Sequence, residues 1–320
     1  MQLSRARVLI LLLLSTFAPA QVSGSDSKTP QPPGVDDKAN SNAPALPAAN
    51  FTPNAAGMLS QDQMRNVLRI SADNDIENDK RQRNYTYIER EEEHKLDGKG
   101  RVKSTEVRTS EILMIYGEQV ERLISKNDRP LSAKDAAKED EKIQKVIDKR
   151  EHESDKDRKR RIAREEKDRE DGRKFVSEVA DAYNFRFLGI EKLGGRDTYV
   201  IDAEPRPGFQ PKMKYANILP KFRFRAWIDK HDLQWAKLDA VCIDTVSFGL
   251  VLARIHKGTR VVLEQTRIND EVWLPKQMDI KVDARFALLK NFNLDQQTTY
   301  RDYKKFRTDT KIVGVGEVPQ

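Results

Sequence analysis

The side chains that could do chemistry in this sequence are its histidines, its single cysteine, its carboxylates and a few glycine-rich turns. His94, His152, His231 and His256 stand in separate segments. None has a partner at helical or hairpin spacing, and no cysteine pair supplements them, so no zinc-type donor set emerges. Cys242 alternates with apolar Val241 and Ile243, the setting of a buried, inert thiol rather than a nucleophile. Leu193-Gly194-Gly195-Arg196 lacks the lysine and the following helix of a phosphate loop. Gly314-Val315-Gly316 has no strand–helix unit after it to hold a dinucleotide, and no Gly-x-Ser-x-Gly elbow occurs. The 51 Asp and Glu residues are spread along the chain, so spacing selects no carboxylate pair. The expectation is a protein that is not an enzyme and that needs no cofactor and no metal.

Binding remains. From Met278 to Leu288, six apolar residues alternate with Asp279, Lys281, Asp283 and Arg285, the pattern of a strand with one apolar and one charged face. Such a face either packs as core or holds something apolar. Candidate wall residues are Tyr85, Tyr87, Phe222, Phe224, Trp227, Trp273, Phe286 and Leu288. Trp227 sits on the otherwise charged face of its strand, which places it at a rim or makes it the cross-strand partner of another aromatic.

The elements that would position these residues follow from periodicity. Ser60 with Gln63 forms a capping-box pattern ahead of Met64, Val67 and Leu68, predicting a short amphipathic helix. Tyr85 to Lys95 and Arg101 to Tyr116 read as a hairpin turning at Asp97-Gly98-Lys99-Gly100. Further strands are expected through Tyr199–Ala203, Phe222–Ile228, Leu233–Val241, Val246–Ile255, Arg260–Ile268, Trp273–Leu288 and Thr298–Phe306. Short turns between successive strands make an antiparallel meander, and with helices against it the class is α+β around a curved antiparallel sheet. Lys134 to Lys174, nearly devoid of large apolar residues, reads as one long solvated helix inserted at about 132–174, with Ser132 and Asp135 at its start. A protein-binding arm is the alternative.

Residues 1–20 have the basic start, apolar run and Ala18-Pro19-Ala20 motif of a signal peptide cleaved after Ala20. Residues 21–58, rich in Pro, Ala and Ser, read as a disordered linker, leaving 59–320 for the folded domain. With one cysteine there is no disulfide framework, and together with export this points to a bacterial periplasm. The net charge of +7 is intermixed with acids, and export argues against nucleic acid, leaving peripheral membrane contact as a possible use of the charge.

Gly195-Arg196-Asp197-Thr198-Tyr199-Val200-Ile201-Asp202, then Phe224-Arg225-Ala226-Trp227-Ile228-Asp229, Gln265 to Asp270, Trp273-Leu274-Pro275, and Tyr300, Tyr303 and Phe306 form a succession of strand motifs. Over roughly residues 185–310 this succession resembles the LolA/LolB-like lipoprotein-sorting carriers of the periplasm. The resemblance implies a half-open β-barrel with helices over its concave face and a cavity for lipid or lipoprotein acyl chains. The charged helix has no counterpart in that pattern, and the family's lid arginine matches no single residue here. An envelope scaffold or stress sensor, binding a protein partner through the charged helix, is the competing expectation.

Overall fold

The computed structural model describes residues 51–116, 118–248, 253–286 and 290–305. The expected signal peptide, most of the expected linker, Leu288 and Gly314–Gly316 lie outside the described residues. Two meanders build one sheet. The first is β1 (Tyr85–Leu96), β2 (Val102–Ile115), β3 (Glu118–Lys126) and β4 (Arg129–Pro130). The second runs through β5 (Tyr183–Leu193), β6 (Arg196–Pro205), β7 (Phe222–Asp229), β8 (Trp235–Cys242), β11 (Arg260–Ile268), β12 (Val272–Phe286) and β13 (Lys290–Lys305). All the pairings are antiparallel, and β13 joins the meanders by pairing with β1. The path β4-β3-β2-β1-β13-β12-β11-β8-β7-β6-β5 does not close, so the sheet is open at β4 and at β5. Two short strands, β9 (Val246–Phe248) and β10 (Ala253–Ile255), pair with each other, and β10 extends along β12. The apolar run Val246–Ile255 is therefore two strands rather than one.

Among the described residues, three α-helices accompany the sheet: α1 (Gln61–Gln82), α2 (Ala133–Glu151) and α3 (Asp155–Ala182). The capping box at Ser60 and Gln63 forms in both directions. Helix α1 then continues fourteen residues past Leu68, because its polar second half finds partners on the sheet. The stretch expected as one solvated helix is two. The chain breaks at His152–Ser154, where Ser154 caps α3 as Ser132 caps α2. Helix α2 is also not merely solvated: Ile143, Val146 and Ile147 pack on Leu113, Ile115 and Val120 of β2 and β3. Helix α3 carries on through Phe175 and Val179 into the core. Strand β3 and a 3-10 helix at Lys214–Lys221 have no clear periodic signal in the sequence, whereas β5 alternates Tyr183, Phe185 and Phe187 with Asn184 and Arg186, a strand signal that the expected set omits. Gly194 and Gly195, both at positive φ, turn β5 into β6 as a two-residue hairpin, which accounts for that glycine pair without a phosphate. Phe51 is buried, and its carbonyl accepts a hydrogen bond from the Tyr199 hydroxyl at 3.1 Å, so the end of the expected linker is part of the core.

Candidate functional site

The cross-strand register sorts the two faces of the sheet. One row crosses it as Phe187, Ile201, Ala226, Leu238, Leu263, Met278, Thr298, Glu91 and Arg108. The next reads Phe185, Ala203, Phe224, Ala240, Val261, Ile280, Gln296, Glu93 and Glu106. Along these two rows the inner face is apolar from β5 through β12 and polar from β13 through β2. The opposite face carries Arg186, Asp202, Arg225 and Asp239 side by side. Arg186 and Arg225 both bind Asp202, and Arg260 forks onto Asp239, so that face is a solvated charge ladder.

Helices cover the inner face unevenly. Over β5–β8, Met64 and Val67 of α1, Phe175 and Val179 of α3, and Ala216 and Leu219 of the 3-10 helix seal one cluster. A second cluster joins Phe222, Cys242, Val246, Ile255, Val261, Ile280, Val282, Ala284 and Leu294. Among the described residues, it contains none from α1, α2 or α3, and Ile218 of the 3-10 helix is its one helical neighbour. This strand-built apolar patch, next to the polar third of the same face, is the candidate site.

The expected wall residues are distributed around it rather than converging. Phe222 lies in the strand-built cluster, and Phe224 borders the sealed one, edge-on to Tyr183 at 4.8 Å between ring centres. Phe286 ends β12 with its backbone paired to Ala253 and Lys290. Tyr85 is buried with Val272 and Leu274; its hydroxyl donates to Glu271 Oε1 at 2.6 Å and accepts from Asn269. Tyr87 packs against Tyr300 and Tyr303. Trp273 is buried at the start of β12, its indole N–H donating to Asp232 Oδ2 at 2.9 Å with Arg196 over the ring. Trp227 stands on the charge-ladder face between Arg225 and Lys237, its N–H on Glu191. Its companions are cations and a carboxylate, not another aromatic.

Sequence reasoning missed the polar seam between α1 and the sheet. Asn78 pairs with Trp273 as a peptide group would, donating to its carbonyl at 2.7 Å and accepting its N–H at 2.8 Å. Gln61 does the same for the outward-facing N–H and C=O of Phe185 on β5. Asn74 donates to the carbonyls of Asp232 and Leu233, and Asp75 Oδ1 accepts from Gln234 at 2.6 Å and from the Trp235 indole at 2.8 Å. The signal was there: Asn74, Asp75 and Asn78 share one helix face at three- and four-residue spacing, where an apolar stripe would be expected.

The histidines stay apart, each on its own neighbour: Thr105 for His94, the Asp148 carbonyl for His152, Asp232 for His231 and Asp283 for His256. Among the described residues, no group of three or more His, Cys, Asp and Glu is arranged around a metal position. Nor is any described helix long and apolar enough to cross a membrane.

No protein-family model matches the chain, and no curated protein matches it. Solved structures are similar in fold at low identity. One is a domain from Vibrio parahaemolyticus provisionally named for outer membrane lipoprotein sorting: 13% identity, 76% of this chain and 94% of that one, TM-score 0.30. A DUF1329 family protein from Desulfovibrio piger matches at 12% identity over 78% of this chain and 95% of that one, TM-score 0.25. A LolA superfamily protein from Nitrosomonas europaea matches at 9% over 70% and 86%, TM-score 0.21. At these values none of them bears on what this chain binds.

Proposed function

We propose that the protein is a non-catalytic carrier in the periplasm that holds a lipid or lipoprotein acyl chain against the inner face of its sheet. The observation behind this reading is the strand-built cluster of Phe222, Val261, Ile280, Val282 and Leu294. Among the described residues it is an apolar patch that no α-helix joins, continuous with a polar third of the same face. Moving an acyl chain through water costs about 0.8 kcal/mol per exposed CH₂, so a carrier needs a wall of this kind with few fixed polar contacts. The graded face suits an amphiphile, with its chain on β8–β12 and its headgroup towards β13–β2. Phe222 and Phe224, with the β12 residues up to Phe286, are the wall on this reading. Two results would sink it together: no lipid by mass spectrometry on protein recovered from its own envelope, and no uptake of a fluorescent fatty acid.

A second reading, an envelope scaffold, is supported by α2. The helix is docked through Ile143, while its outer face keeps exposed pairs such as Lys138–Asp135 and Lys145–Glu141. Deleting residues 134–174 would strip Ile115 and Val120 as well, so reversing charge at Lys138 and Lys145 is the cleaner probe. Loss of a pull-down partner with lipid uptake intact favours the scaffold; retention of every partner removes it.

A further inference from the structure

Helix α1 is two unlike halves. The first anchors by burial, through Met64 and Val67 with Leu68 and Ile70 beside them. From Ser71 to Gln82 the only large apolar residue is Ile76, and the helix is held to the sheet by hydrogen bonds. Besides those of Asn74, Asp75 and Asn78, Gln82 donates to the Trp273 carbonyl at 2.9 Å and Arg81 to that of Glu271 at 3.1 Å. Water can replace such contacts with little net cost, whereas it cannot replace apolar burial. The second half is therefore the part of this lid built to come away.

Asp75 sits at the centre of that seam. Its surroundings hold two imperfections: Gln265, close to the carboxyl on β11, has its Oε1 buried without a partner, and Asp79 Oδ1, one turn along α1, is likewise unpartnered. An ionised carboxylate only accepts, so it offers Gln265 Oε1 nothing. A protonated one carries an O–H that can donate to such an acceptor.

We propose that the second half of α1 is a proton-linked lid, shut when the Asp75 carboxyl is neutral and loosened when it is charged. The groups around it favour this. Helix α1 contributes Asp79, whose other oxygen is held by Arg83 at 3.0 Å, and Asn78, which is spent on Trp273. Gln234, just before β8, and Trp235 at its start contribute only neutral donors, and β11 the neutral Gln265. Asp232, in the β7–β8 turn, is engaged by Arg196, Arg267 and Trp273, so those cations are already committed. No described ion pair supplies Asp75 with a cation. Desolvation, reinforced by Asp79, pushes its carboxyl up to about 6, against an ordinary 3.8. With the lid open the group returns to water and to the ordinary value, so closure takes up a proton. Closure is thus fully favoured below about pH 4, loses ground as pH rises towards about 6, and is level above that. The opening equilibrium should change across this window by at most about a hundredfold, less because Asp75 keeps some solvent contact.

Amide hydrogen exchange followed by mass spectrometry, corrected for intrinsic rates, tests this on the full mature chain between pH 4.5 and 8. Peptides covering residues 71–82 should gain protection of roughly tenfold or more on acidification. In Asp75→Asn, whose amide can accept from Gln234 and Trp235 and donate to Gln265, they should stay protected at every pH. The same pH slope in Asp75→Asn, or no slope in the native chain, overturns the proposal. Should the variant not fold, the Asp75 carboxyl carbon titrated by NMR in the native chain decides: a midpoint near 4 overturns it, one near 6 sustains it. Neither readout depends on any lipid being bound, so the lid can fail or stand separately from the carrier reading.

Discussion

At the residue scale, side chains with reactive potential are tied down, and the consequences are measurable. Cys242 is fully buried, donates to the Asp244 carbonyl at 3.0 Å, and burial pushes its thiol above the ordinary range. The thiolate is the reactive form, so a disulfide reagent should label Cys242 only in denaturant; rapid labelling of the native protein at pH 7.5 would show that the β8 end is open. Asp229, 1% exposed, receives both nitrogens of the Arg196 fork at 2.6 and 2.8 Å and the backbone N–H groups of His231 and Asp232. It fixes the β7–β8 turn and aims Arg196 over Trp273. Replacing it with Ala removes four acceptor contacts and leaves Arg196 short of a partner, and should cost about 2–4 kcal/mol in a urea melt. Asp229→Asn keeps an acceptor for the turn and should cost less. Equal losses would mean that the charge contributes nothing.

At the scale of elements, what was legible in the sequence were the pieces whose signal is local. The capping box at Ser60, the Asp97–Gly100 turn and the alternation of β6, β7, β11 and β12 depend on neighbouring residues alone. Strand β3 escaped because its sequence, Glu118 to Lys126, mixes charges on both faces, and its outer edge is completed from elsewhere: the Leu123 N–H donates to Glu139 of α2 at 3.2 Å. The same dependence hid the docking of α2, where three isoleucine and valine side chains among many charges suffice to cover Ile115 and Val120. The candidate patch was legible only as one face of β12, because its other members come from six further elements. Two variants follow. Ser60→Ala removes one partner of the capping box and should cost about 1 kcal/mol, read as a lower Tm. Ile143→Asp places a carboxylate in the α2–β3 contact and should free α2, with hydrogen exchange rising over residues 133–151 while β12 stays protected. Protection unchanged over α2 would show that its ion pairs, such as Arg122–Asp140 at 3.0 Å, hold it without the apolar contact.

At the scale of the whole molecule, one sheet bears two apolar clusters of different character, and the carrier reading depends on that difference. Ile228 is 1% exposed in the cluster sealed by three helical segments, and Val282 is 4% exposed in the cluster that, among the described residues, no α-helix joins. A carboxylate at Ile228 has no route to water, so Ile228→Asp should cost several kcal/mol, a large share of the stability of an ordinary domain, and leave little folded protein. At Val282 the same change charges the face shared with Ile280 and Ala284. If that face receives cargo, it must open to do so, and the carboxylate gains water in the opened state. Val282→Asp should then fold with a lowered Tm and lose fatty-acid uptake. Melting curves and an uptake assay on the pair discriminate cleanly. Equal destabilisation by both variants would make the second cluster ordinary core and shift the balance to the scaffold. A folded Val282→Asp with undiminished uptake would put the acyl chain on some other part of the molecule.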